Sequence, residues 1–122
     1  MKVLLSIKPE YAIKIFEGSK KFEFRKSVFK NLDIRTVVVY ASSPIQMIIG
    51  EFTIAEIIED SPDVLWEKTK LHSGITKEFF DEYFLNKNRA FAIKVKDANR
   101  YKMPLMLSDF DLNFAPQSFV YL

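Results

Sequence analysis

The period of the apolar positions changes several times along the chain. Val3–Ile7 is a short apolar run broken by Ser6 and stopped by Lys8, which predicts a strand. Pro9 then suits the first turn of a helix, where its missing N–H removes no bond. Ala12, Ile13, Ile15 and Phe16 give that helix an apolar side, and Gly18 stands at its end in the C′ position. From Lys20 to Lys26 the period falls to two. Phe22 and Phe24 point one way, and Lys21, Glu23 and Arg25 point the other. Residues 27–34 read as a loop. Thr36–Ala41, with three consecutive valines, predicts a buried strand, and Ser42-Ser43-Pro44 a turn. Ile45–Ile58 predicts a long strand, bent or bulged near Gly50.

Ser61 and Pro62 open a helix that runs to about Lys70, with Leu65, Trp66 and Thr69 inward. His72-Ser73-Gly74 breaks it. Thr76 caps a further helix, on which Phe79, Phe80, Tyr83 and Phe84 face inward at helical spacing. Ala90–Lys96, Met103–Leu107 and Ser118–Leu122 read as strands. About six strands with three helices in 122 residues predict one α+β domain over 1–122. The expected form is a small barrel, closed or nearly closed, flanked by helices, since closure removes exposed strand edges. An open α+β sheet fits the same pattern.

Composition removes several function classes. There is no cysteine, which excludes disulfides and thiolate zinc sites, and the lone His72 builds no histidine cluster. No metal and no cofactor are expected. Three glycines leave no phosphate-cradling loop. The first apolar run is too short for an export signal or a bilayer span, so the cytoplasm is the expected compartment and a membrane is not an expected partner. Net charge is only +2, but residues 1–35 carry nine Lys/Arg against four Asp/Glu. Such asymmetry favours a polyanion on one face, or else a solvated lysine-rich surface. Residues 56–82 hold eight Asp/Glu against three Lys, a poor surface for nucleic acid.

The most informative segment is Gly18-Ser19-Lys20-Lys21-Phe22-Glu23-Phe24-Arg25. Glu23 and Arg25 share one face of a strand. They form either a plain ion pair or a hydrogen-bonding edge in which Arg donates and Glu accepts, able to read a base or grip a phosphate. The G-x-K-x-x-E-x-R pattern after a helix, preceded by Leu4-Leu5-Ser6-Ile7-Lys8-Pro9, resembles the ASCH domain of the PUA-like superfamily. Val38–Pro44, Gly50-Glu51-Phe52, His72–Ile75 and Ala115–Phe119 extend the resemblance over nearly the whole chain. It is most similar to the prokaryotic and phage group described as predicted regulators.

The resemblance implies a cleft that binds RNA, a nucleotide or a modified base. Its expected ligand-binding residues are Lys8, Lys20, Glu23, Arg25, Tyr40, Ser42, Ser43, His72, Ser73, Gln117 and Ser118. Tyr40 offers a stacking ring. Blander readings stand beside these roles: a barrel-end tyrosine, polar turns around Ser42 and Gln117, and a helix-end histidine. The aromatic stripe and Trp66 read as core. A second implication is a small metal-independent hydrolase acting on RNA or a modified nucleoside. Lys20 and Glu23 would then be catalytic, with Glu23 or His72 taking a proton and Arg25 with Lys20 stabilising charge. The related N4-acetylcytidine amidohydrolase pattern matches only at Lys20: Glu23 replaces its threonine, and no carboxylate stands near His72-Ser73. A third reading is a regulatory protein-interaction module, with the acidic 56–82 stretch as its surface.

Overall fold

The structure, a computed structural model, describes all residues 1–122. Its elements are β1 (Val3–Ile7), α1 (Pro9–Glu17), β2 (Phe22–Arg25), β3 (Thr36–Ala41), β4 (Met47–Asp60), α2 (Pro62–Thr69), α3 (Lys77–Tyr83), β5 (Ala90–Leu105) and β6 (Phe119–Tyr121). The six strands form one sheet in the order β2-β5-β4-β3-β1-β6. Only β1 and β3 are parallel, and α1 begins the crossover between them. The remaining pairs are antiparallel. The sheet curls into a half-barrel with three helices against it, the α+β PUA-like architecture expected. Strand pairing does not close it: β2 and β6 are its two outer strands. A side chain bridges part of the opening, where Arg25 Nη2 on β2 donates to the Ser6 carbonyl on β1 at 2.8 Å.

Local chemistry explains the helix ends. Pro9 starts α1, and Gly18 ends it in the left-handed region at φ 91°, its N–H on the Lys14 and Ile15 carbonyls. Thr76 caps α3 by accepting from the Phe79 N–H at 3.1 Å. Ser61 holds the N-cap position of α2, but its hydroxyl makes no capping bond. Gly50 marks the irregular part of β4, where the register against β5 shifts. A Cβ there would lie 2.6 Å from both the Phe16 ring and the Asn99 carbonyl, so glycine lets α1 close onto the sheet. Most strand ends move by one or two residues, as in Met47–Asp60 for the expected Ile45–Ile58, and one difference is larger. Ala90–Lys96 and Met103–Leu107 are not two strands: β5 runs unbroken from Ala90 to Leu105, bulging against β4. The polar stretch 97–102 carries no apolar alternation to join the two runs, and a strand beyond the core needs none.

Three apolar clusters divide the interior, the smallest being Leu4, Val38, Tyr40 and Ile48 on the opposite side of the sheet strands β1, β3 and β4 from the largest. The largest packs α1 against β1, β3 and β4, with Val3, Leu5, Ile15, Val37, Val39 and Phe52 at its centre. The second joins β2 to α2 and α3 through Phe22, Phe24, Leu65, Phe80 and Phe84. Phe80 is its hub, with Phe84 at 4.8 Å, Trp66 at 5.0 Å and Phe24 at 5.2 Å between ring centroids. No helix is long and apolar enough to cross a membrane.

Candidate functional site

A pocket of about 210 Å³ opens where three pieces of chain meet. The end of β1 and the start of α1 supply Ser6, Ile7, Lys8 and Tyr11. The entry to β2 and the strand itself supply Lys20, Glu23, Phe24 and Arg25. The last wall is Ile75 before α3, with Phe79 and Tyr83 on it.

Lys20 is 2% exposed, and its position follows from the turn that ends α1. Gly18, Ser19 and Lys20 all direct their backbone N–H to the Lys14 carbonyl, which folds the chain back toward the sheet. The ammonium donates to the Ser73 carbonyl at 2.6 Å and lies over the rings of Phe24 at 4.8 Å and Tyr11 at 5.4 Å. Burial lowers its pKa to about 8, partly opposed by the Glu23 charge and assisted by Lys14. The adjoining loop is held by a run of carbonyls. His72 accepts from the Lys21 N–H at 2.9 Å, Ser73 from Lys20, and Gly74 from Lys14 Nζ at 3.2 Å. Gly74 adopts φ +71°, and a Cβ there would strike the Lys20 stem at 2.6 Å. Both facts require glycine.

Glu23 is 7% exposed. Its Oε2 lies 3.2 Å from Arg25 Nε, so the shared strand face does hold an ion pair. The Nε–H is not aligned on that oxygen and finds no other acceptor. The carboxylate therefore keeps acceptor capacity directed at the pocket, beside a buried donor that also lacks a partner. Burial raises the Glu23 pKa, and Arg25 and Lys20 pull it back down. At the mouth, Lys8 Nζ lies 5.7 Å from the Phe79 ring centroid and Lys26 Nζ 4.8 Å from that of Tyr83. Phe79 and Tyr83, one turn apart on α3, hold their rings within 10° of parallel. Burial also raises the Tyr11 and Tyr83 hydroxyl pKa, which keeps both phenols as proton-bearing donors.

A hydroxyl-bearing shelf adjoins the pocket around Ser6. Tyr40 stands opposite Ser6 in the β1–β3 register, buried against Leu4, Val38 and Ile48. Ser6 donates its N–H to the Ser118 carbonyl at 3.4 Å and its hydroxyl to that of Pro116 at 2.7 Å. The Ser42 N–H caps the Ile7 carbonyl at 3.0 Å. Tyr40, Ser42 and Ser118 thus gather at the end of β1, next to the pocket but not in its lining. Ser43 and Gln117 are exposed. The His72 side chain is exposed and does not line the pocket, so its carbonyl is the part that serves the site. Ser73 is buried and acts through its carbonyl, with its hydroxyl donating to the Ile75 carbonyl at 2.9 Å.

Of the expected residues, then, the structure brings Lys8, Lys20, Glu23 and Arg25 into one pocket. Sequence reasoning missed Tyr11, Phe79 and Tyr83. The aromatic stripe on α3 was expected to be core throughout, yet only Phe80 and Phe84 are buried. The available signal was spacing: 79/83 and 80/84 are two adjacent i, i+4 rows, about 100° apart on a helix. One row packs the core and the other faces the pocket.

Known proteins share this arrangement of strands and helices. The chain is 25% identical to the "ASCH domain-containing ribonuclease" of Zymomonas mobilis, over 98% of this chain and 82% of that protein. The crystal structure of ASCH from Zymomonas mobilis superposes with a TM-score of 0.89, covering 99% of this chain and 87% of that one. Two chains of Ureaplasma parvum contain matching segments. One is named ATP synthase subunit alpha, 32% identical over 98% of this chain; the other is large ribosomal subunit protein uL22, 31% identical over 98%. This chain spans 15% and 39% of their lengths. The ASCH domain model itself matches residues 5–99, every pocket residue included, and the chain belongs to the ASCH domain family.

Proposed function

We propose that this domain binds single-stranded RNA in the cytoplasm by drawing one nucleotide into the Glu23–Arg25 pocket. The observation that carries the reading is a buried donor, Arg25 Nε, without an aligned partner inside the protein, beside the Glu23 carboxylate 3.2 Å away. A half-satisfied ion pair is costly to bury, and a ligand offering N–H and carbonyl groups to the pair removes part of that cost. A base edge is such a ligand. The cavity, about 210 Å³, lies below the roughly 300–1,000 Å³ of drug-sized pockets and favours a single ring system. Phe79 and Tyr83 offer ring faces to it, while Lys8 and Lys26 stand at the mouth, where phosphates would lie. A relative named as a ribonuclease over nearly the whole chain supports RNA as the ligand class.

That same relative favours a second reading, in which the bound strand is cut. Glu23, with its raised pKa, would take the proton of a 2′-hydroxyl as that oxygen attacks the adjacent phosphorus. Arg25 and the Lys20 ammonium would stabilise the added negative charge, and the 5′-oxygen would leave with a proton from a solvent water, which is restored when Glu23 releases its own to solvent. The products would be a 2′,3′-cyclic phosphate and a 5′-hydroxyl.

One experiment addresses both readings. A labelled single-stranded RNA is titrated with wild type, with Glu23→Gln and with the surface control Arg89→Gln, and the RNA is then sized on a gel. Pocket binding predicts at least a tenfold loss of affinity in Glu23→Gln and none in the control. Equal affinity for all three proteins would sink the pocket as the binding site. Fragments with cyclic-phosphate ends, formed by wild type and lost in Glu23→Gln, would establish cleavage.

A further inference from the structure

The outer part of β5 is unusual among the strands. Beyond Val95, whose N–H takes the Lys21 carbonyl at 2.9 Å, its outer edge has no partner strand. From Lys94 to Lys102 it carries four basic residues against one acidic residue, Asp97. Lys94, Lys96, Arg100 and Lys102 are all exposed, and none is in an ion pair. Five of the six ion pairs of the molecule lie on the surface, and none of them engages this strand. A second groove, about 290 Å³, runs between the end of α1 and β5 and is lined by Lys20, Lys21 and Lys96 together with Glu17. Lys20 also lines the Glu23 pocket, so one buried side chain separates pocket from groove.

We propose that this strand and the groove beside it form a phosphate-contacting track for single-stranded RNA, which extends the footprint of the strand whose nucleotide enters the pocket. The proposal rests on the RNA reading above. Lys96 to Lys102 spans about 20 Å of extended chain, enough to follow several phosphates. Contacts of this kind carry no sequence information and supply affinity through counterion release. Charge on an unpaired edge has another use, since lysine and proline block edge-to-edge pairing of strands, and Pro104 stands on this edge as well. Charge of either sign blocks pairing, whereas only positive charge holds phosphate. That difference separates the two roles.

The test is the triple reversal Lys96→Glu/Arg100→Glu/Lys102→Glu, compared with wild type and Glu23→Gln. Binding of a 15-nucleotide RNA and of a mononucleotide is measured at several salt concentrations. The expected result for the long RNA is a log–log salt slope shallower by about 2, from three lost contacts at roughly 0.7 each. Its low-salt affinity should fall at least tenfold, while the mononucleotide binds the reversal as it binds wild type. An unchanged slope and affinity for the long RNA in a folded, monomeric reversal would overturn the track and leave the pocket standing. No binding of either ligand by wild type would bring down pocket and track together. If the reversal does not fold, Lys96→Gln/Arg100→Gln/Lys102→Gln gives the same readout with the same expected slope change.

Discussion

Two arginine–carboxylate pairs in this molecule have the same atoms at the same distance. Arg25 Nε lies 3.2 Å from Glu23 Oε2, and Arg89 Nε lies 3.2 Å from Glu59 Oε2. Everything else about them differs. The Arg89–Glu59 side chains are 58% and 48% exposed, and their N–H is aligned as a true hydrogen bond. The Arg25–Glu23 side chains are 12% and 10% exposed, and the N–H is misaligned. The exposed pair has nothing left to offer, since water completes it. The buried pair keeps an acceptor and a donor open in a place where water is scarce. Separation alone thus says little about a charge pair; burial and alignment decide how much hydrogen-bonding capacity it keeps open.

The sharpest way to break this comparison is to delete one carboxylate at a time. Glu23→Ala leaves the Arg25 guanidinium buried with only the Ser6 carbonyl as partner, and arginine cannot shed its charge. A loss of about 3 kcal/mol is expected in urea unfolding. A loss below about 1 kcal/mol would mean that solvent in the pocket already screens the pair, and that the contrast with the surface is smaller than burial implies.

Next in size is a pH effect that only buried groups can show. The folded-state pKa of Lys20 is lowered from 10.5 to about 8. Between those values the unfolded chain holds a proton that the folded chain has released, so stability rises as pH climbs from 8 toward 10.5. The charged lysine therefore costs stability at neutral pH, on the order of 3 kcal/mol. Glu23 runs in the opposite direction: its raised pKa favours the neutral form, and stability is lost as pH rises through it. Thermal unfolding of Glu23→Gln and of Glu23→Gln/Lys20→Met, followed from pH 7 to 10, removes the carboxylate's own titration. The gap between the two proteins should shift in favour of the lysine-bearing one as pH rises. A constant gap would show that Lys20 keeps an ordinary pKa.

The contrast also shows how far a sequence can be read. Pro9, Gly18 and Thr76 punctuate the helices by local backbone chemistry, and the structure follows them. The period-two alternation at 22–25 put Glu23 and Arg25 on one face, where they meet. Nothing in that alternation tells buried from exposed, because part of the cover comes from α3, more than fifty residues further along the chain. The same limit hid Tyr11 and split the α3 stripe, since a helix flanked by core on one side and cavity on the other shows one broad apolar face. Charge counted by chain segment concealed the basic run at 94–102 behind the acidic helices that precede it. His72 illustrates the reverse error: an imidazole draws attention in a sequence, but here the backbone carbonyl of that residue is what holds the site together.

The smallest effect is expected at the surface pair, and it serves as the control for all the others. Arg89→Ala removes an aligned 3.2 Å hydrogen bond to Glu59, but the half-exposed Glu59 carboxylate left behind is free to turn to water. Holding two long side chains in one geometry also costs rotamer entropy that the substitution returns. The net loss should be no more than about 0.5 kcal/mol, and it should vanish in about 1 M salt, where the screening length falls to about 3 Å. The Glu23→Ala loss should persist in the same salt, because a buried pair is screened much less than an exposed one. If salt erased both losses alike, the Glu23 pair would behave as a surface pair, and the pocket would no longer supply the reason for a ligand to bind there.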